Sequence, residues 1–174
     1  AAFDGTRWVT ARANGDPFAM PRVALARNGT AVVGGTTGQS TSSVFGWQYS
    51  PQRGGEGRPQ IFTRHTLSTS TPPGVAVRVS GAASVSWAGS DGRGVVANRG
   101  ADGRWTGPQV IATERPRSVL QTDLVFDPSG RAIVAWTRAR DRRISTRTRL
   151  ASFRWTPRAE IVASRAAVFN VDFS

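Results

Sequence analysis

The sequence predicts an all-β chain in which one four-stranded unit is used several times. Three observations carry the prediction. A short apolar segment recurs behind a glycine: Gly29 to Gly35 is GTAVVGG, Gly81 to Trp87 is GAASVSW and Gly130 to Trp136 is GRAIVAW, with the glycines 52 and 49 residues apart. A second motif, Arg-Trp before a polar or Pro-containing turn, stands at Arg7-Trp8, Arg104-Trp105 and Arg154-Trp155. These tryptophans are 97 and 50 apart, close to two periods and one. Finally, no window shows the apolar spacing of an amphipathic helix, whereas short β-branched and aromatic runs between turn signals are frequent.

The best-preserved unit shows how each element is read. Gln121 to Phe126 is a first strand, ended by Asp127-Pro128-Ser129-Gly130. That tetrapeptide is turn chemistry: proline pre-sets φ, Asp and Ser bond the local backbone, and glycine accepts positive φ. Ala132 to Thr137 is apolar on successive residues and is expected to be buried on both faces. After a polar loop, Ile144 to Leu150 alternates Ile144, Thr146, Thr148 and Leu150 with Ser145, Arg147 and Arg149. The alternation predicts a half-exposed outer strand with its arginines to water. Ala159 to Ala163 is the fourth strand.

The same reading places earlier strands at Arg22 to Ala26, Thr30 to Gly34, Ser43 to Tyr49 and Gln60 to Thr63. The next set is Val75 to Val79, Ala83 to Trp87, Gly94 to Ala97 and Gln109 to Thr113, with turns at Ser90-Asp91-Gly92 and Ala101-Asp102-Gly103. Repeats therefore span about 20–63, 74–113 and 119–163. Partial copies at 1–12 and 167–174 flank them, the last because Ala167 to Phe173 aligns with Ser118 to Leu124.

Four strands per roughly 40–50 residues, repeated, is the pattern of a β-propeller blade. Units of the form D-P-x-G-x-A-x-V-A-W, a basic-polar strand and x-x-W-x-x-P resemble secreted β-propeller repeats of high-GC actinobacteria, distantly similar to the sialidase group. The resemblance implies about three and a half blades: an incomplete ring, a fragment, or copies that associate to supply the missing blades. A β-sandwich with incidental repetition is the alternative. The propeller resemblance also implies an extracytoplasmic or secreted setting and a binding or scaffolding role, with a glycan or a protein surface as partner.

Composition narrows the classes. The chain has 174 residues with 39% apolar side chains, enough for a core. No apolar run approaches the ~20 residues of a membrane span. No signal peptide opens the chain, so any such segment is expected to have been removed or never to have existed. Cysteine is absent, which excludes disulfides and thiolate metal sites. The formal charge is +12, carried by 23 arginines and no lysine. Nucleic-acid binders ordinarily use both cations, so a generally basic surface is preferred to a nucleic-acid groove.

Candidate site residues follow from what departs from the repeat. Phe45, Trp47 and Tyr49 fall at spacing two on one strand, hence on one face, beside the glycine-rich PQRGGEGRP loop. An aromatic face of this kind suits apolar sugar faces. Arg138, Arg140, Asp141, Arg142 and Arg143 form a dense basic run in a hairpin loop, able to clamp carboxylate or phosphate. The other tryptophans are assigned to structure: Trp87 and Trp136 to the core, and Trp8, Trp105 and Trp155 to an outer corner of each unit. His65 is the only histidine, and no metal-ligand spacing or Asp-rich calcium loop exists, so no metal or other cofactor is expected. The resemblance to sialidases brings a tyrosine–glutamate nucleophile pair to mind, for which Tyr49 and Glu56 are the only pairing nearby in sequence. The Asp-box of that family is met only by the compressed Asp102-Gly103-Arg104-Trp105, so a glycoside hydrolase is the alternative to a non-catalytic module.

Overall fold

The computed structural model describes residues 20–37, 43–51, 59–62, 66, 71–113, 119–138, 144–150 and 154–159. Of residues 2–3, 8–9, 18–19, 54–55 and 160–161 it describes the strand backbone. Among these residues the protein is all-β. A short hairpin, β1 (Ala2–Phe3) with β2 (Trp8–Val9), is followed by three antiparallel sheets. The first holds β3 (Phe18–Leu25), β4 (Ala31–Thr37), β5 (Ser43–Ser50), β6 (Gly54–Gly55) and β7 (Gln60–Phe62), with β6 and β7 both pairing with β5. The second is β8 (Gly74–Val77), β9 (Ala83–Ala88), β10 (Gly94–Arg99) and β11 (Gln109–Ala112). The third is β12 (Val119–Phe126), β13 (Ala132–Arg138), β14 (Ile144–Thr148) and β15 (Ala159–Ile161). Within each of the last two, every strand pairs with its neighbour in sequence.

The recurring glycine segments fold as equivalent turns. In each sheet the first hairpin closes with the same two backbone bonds: Ala26 N–H to Thr30 O and Gly29 N–H to Ala26 O, then Arg78 to Ala82 and Gly81 to Arg78, then Asp127 to Arg131 and Gly130 to Asp127. Gly29, Gly81 and Gly130 have φ of 79°, 83° and 83°, a region costly for any residue with a Cβ. The Arg-Trp motif is explained likewise. Trp105 bridges Arg99, and Trp155 bridges Arg149. The following threonine then clasps the third strand twice. Thr106 N–H donates to Asn98 O (2.7 Å) while its Oγ1 accepts from Asn98 N–H (3.1 Å); Thr156 does the same to Thr148 (2.9 and 3.0 Å).

The sheets stack face to face, so the strands of the second sheet are covered on both sides. Val32, Val44 and Phe62 of the first sheet pack against Val85, Trp87, Val95 and Ala97 of the second. Ala88, Val96 and Ile111 of the second pack against Leu124, Val134 and Trp136 of the third. Trp87 and Trp136 are fully buried at equivalent places, as expected from the repeat. Between sheets, β8 lies against β3 and β4 of the first sheet on one side, and β12 of the third lies against β8 and β9 on the other. Among the described residues the stack is open at both ends and does not close into a ring.

Two expectations need correction. Most observed strands match their predicted spans to within two residues, but β3 begins at Phe18, four residues early, and is interrupted at Met20, whose φ of 49° accompanies a register shift. The second concerns β14. Ser145 pairs with the core residue Trp136, and Arg147 with Val134, so the arginine-bearing face turns toward the second sheet. Ser145 is buried, and Leu150 is exposed. The reason is register: the face of β14 is dictated by the tryptophan strand beside it, and long arginine stems reach past the core to the rim.

Candidate functional site

Arginines from several turns gather at one end of the stack. A cleft of about 780 Å³ opens between the second and third sheets, at the end carrying the first-hairpin turns and the Arg-Trp turns. Five arginines line it, Arg78, Arg99, Arg104, Arg131 and Arg149, with Asp102 as the one carboxylate in its wall. Trp105 and Leu150 add apolar surface. A smaller cleft of about 270 Å³ occupies the equivalent place between the first two sheets, lined by Asn28, Gln48 and Ser80 and sharing Arg99.

Most of these arginines are positioned from behind. Arg78 Nη1 donates to Gly130 O at 3.5 Å, and its guanidinium lies over the Phe126 ring, 6.0 Å from the centroid. The turn of the second sheet is thus pinned to the turn of the third. Asn28 makes the matching link one repeat earlier, its Nδ2 donating to Val79 O at 2.9 Å. Arg99 is buried and donates to Gly81 O at 3.2 Å. Arg131 Nε donates to Asp127 Oδ2 at 2.7 Å, leaving the rest of the guanidinium fork open to solvent. Asp127 also accepts from the Ser129 hydroxyl (2.7 Å) and from Arg131 N–H (2.8 Å). These bonds, Ser129 first, hold the Asp127 carboxyl well below the ordinary carboxylate range. Burial alone pushes the Arg149 guanidinium down from its usual value, an effect that an anion beside it would reverse. Arg104 is exposed, and its N–H is held by Asp102 Oδ1 at 3.1 Å.

The arrangement suits an anion of some size. Arginines from several turns line one space, and guanidinium is the side-chain group suited to paired N–H donation to a carboxylate, sulfate or phosphate. Trp105 supplies a ring edge beside them. Its other side is committed to structure, in edge-to-face contact with Phe62 at 5.4 Å.

The sequence-predicted site residues that are described, Phe45, Trp47, Tyr49 and Arg138, lie elsewhere. Phe45 and Tyr49 are buried and Trp47 is half-buried, on the face of the first sheet that points away from the second. Arg138 ends β13 at the opposite rim from the cleft and is buried. Arg140, Asp141, Arg142 and Arg143 lie outside the described residues, as do His65 and Glu56. Among the described residues no three of His, Cys, Asp and Glu come together, and no helix is long and apolar enough to cross a membrane. The cleft was missed in the sequence because its arginines come from separate turns. One signal was present: Arg99 and Arg149 hold the same repeat position, 50 residues apart. No family model and no curated protein matches the chain.

Proposed function

We propose that this chain is a non-catalytic binding module of β-propeller-like build, extracytoplasmic in setting, which recognises an anionic glycan or similar surface molecule at the arginine-lined cleft. Antiparallel sheets of four or five strands stacked with the first strand of each against its neighbour support the blade reading. The observation that carries the function is the cleft itself, with five arginines to one carboxylate along its wall. Guanidinium donors fix the acidic groups, and the Trp105 edge and Leu150 meet the apolar faces of the sugar.

The test is an array of neutral, carboxylated and sulfated oligosaccharides, run beside a fluorogenic sialoside. Retention of the acidic glycans is expected, weakening with salt as exposed charge contacts are screened. It should fall at least tenfold in Arg104→Ala/Arg131→Ala, the loss of about 1.4 kcal/mol or more of charge-assisted bonding. Both positions are exposed and outside the core, and circular dichroism of the variant checks that the loss of the Arg131–Asp127 pair leaves the fold in place. Binding that ignores this pair sinks the site, and turnover of the sialoside replaces the module with a hydrolase.

A further inference from the structure

The small cleft between the first and second sheets differs in chemistry from the large one. Its wall is amide and hydroxyl: Asn28, Thr30, Gln48, Ser50 and Ser80, with Arg99 as the only charged side chain among the described residues. It is also continuous with the large cleft, since Ser80, Arg99 and Ala101 line both.

One group in this wall lacks a partner. Gln48 is 4% exposed, and its carbonyl Oε1 accepts no hydrogen bond among the described residues. The repeat shows what is missing. Gln48 pairs with Val32 as Asn98 pairs with Ser84 one unit later, and Val32 and Ser84 each stand three residues after the turn glycine. In the second sheet the Ser84 hydroxyl donates to Asn98 Oδ1 at 2.8 Å. Valine has nothing to donate, so the equivalent carbonyl in the first sheet is left over. The amide stands at the cleft: Gln48 Nε2 lies 3.3 Å from where a Cβ would sit on Gly81, a residue that lines the cleft and accepts from Arg99. Buried polar groups are ordinarily hydrogen-bonded, so an orphan acceptor in the wall of a polar cleft points to a donor that arrives from outside.

We propose that the small cleft is a subsite for an uncharged, hydroxyl-bearing unit of the ligand, one hydroxyl donating to Gln48 Oε1, while the arginine-lined cleft holds the acidic unit next to it. The terminal torsion of glutamine is broad, so the carbonyl turns to meet the incoming hydroxyl. The proposal rests on the reading of the large cleft given above and narrows it: the ligand is an oligosaccharide in which an acidic sugar is joined directly to a neutral one. The wall shared by the two clefts, Ser80, Arg99 and Ala101, is where the link crosses.

Galactose 6-sulfate and its disaccharide with unmodified galactose test this by calorimetry, against wild type and Gln48→Met. That substitution keeps the length of the side chain and removes the amide, and circular dichroism checks its fold. The disaccharide is expected to bind wild type about fivefold or more tighter than the monosaccharide, the yield of one added hydrogen bond. Gln48→Met should erase that gain and leave the monosaccharide affinity unchanged. In wild type, uncharged methyl galactoside should shift the side-chain amide resonances of Gln48 and leave the backbone amides of 129–131 in place. The subsite is overturned if the disaccharide gains nothing, if Gln48→Met keeps the gain, or if methyl galactoside leaves the Gln48 resonances unmoved. Failure of the large cleft reads differently: the sulfated probes then ignore Arg104→Ala/Arg131→Ala, whereas the methyl galactoside shift at Gln48 persists.

Discussion

Gly46 and Trp105 offer a quantitative probe of how the sheets meet. Gly46 sits on β5 of the first sheet, and a Cβ placed there would lie 2.8 Å from both Cη2 and Cζ2 of Trp105 in the second. That is well short of van der Waals contact, and the ring cannot swing away freely because Phe62 meets it edge to face at 5.4 Å. Overpacking of this kind costs about 1–3 kcal/mol. Loss of unfolded-state freedom on replacing glycine returns ~0.4–1 kcal/mol. Gly46→Ala should therefore destabilise by about 1–2 kcal/mol. Trp105→Ala removes a half-buried ring, and a little over half the ~3–5 kcal/mol of a fully buried one gives about 2–3 kcal/mol. With the ring gone, the methyl at position 46 meets space. Gly46→Ala then becomes neutral or slightly stabilising in the Trp105→Ala background. The double-mutant cycle should accordingly show a coupling of about 2 kcal/mol. Urea denaturation of the four proteins measures it, with m-values checked for constancy. A coupling below ~0.5 kcal/mol would mean that Trp105 does not press on Gly46, and the packing of the first two sheets would have to be redrawn.

Other outcomes follow from the same structure. Trp136→Ala empties a fully buried site between the second and third sheets and should cost about 3–5 kcal/mol by denaturation. Thr156→Val removes the acceptor for Thr148 N–H but keeps the shape, and a loss of about 1 kcal/mol is expected, matched by Thr106→Val one repeat earlier. Asp127→Asn should destabilise at neutral pH. Because the folded carboxyl is held below its unfolded value, its contribution is complete above about pH 5, begins to fall below ~4, and is lost only as the pH drops through the much lower folded value. Melting curves of wild type and variant should therefore converge at acid pH, and a gap that widens there would contradict the turn geometry.

What was legible in the sequence was whatever depends on local chemistry repeated at a fixed period. The positive-φ glycines, the apolar second strands with Trp87 and Trp136, and the Arg-Trp turns all recur because each sheet needs the same hairpins. What was not legible depends on which sheet lies on which side. Alternation along Ile144 to Leu150 shows two faces but cannot say which one meets a neighbour, and there the tryptophan strand decided against the apolar pattern. The row Phe45, Trp47, Tyr49 has the same ambiguity. Three aromatics at spacing two describe a ligand platform and a packed sheet face equally well, and the sequence does not say what covers Phe45 and Tyr49, which are buried within the chain. The cleft is a tertiary product: Arg78, Arg99, Arg104, Arg131 and Arg149 are scattered over 72 positions and meet only when the turns of two sheets are brought side by side.

The measurement that bears most directly on function is residue-level mapping of a bound acidic glycan, by amide chemical-shift changes on titrating the labelled protein with a sulfated oligosaccharide. The largest changes are predicted at 78–82, 99–106 and 129–131, the turns that enclose the cleft. Changes centred instead on 43–50, or none at any concentration, would contradict the assignment of binding to the arginine-lined end of the stack.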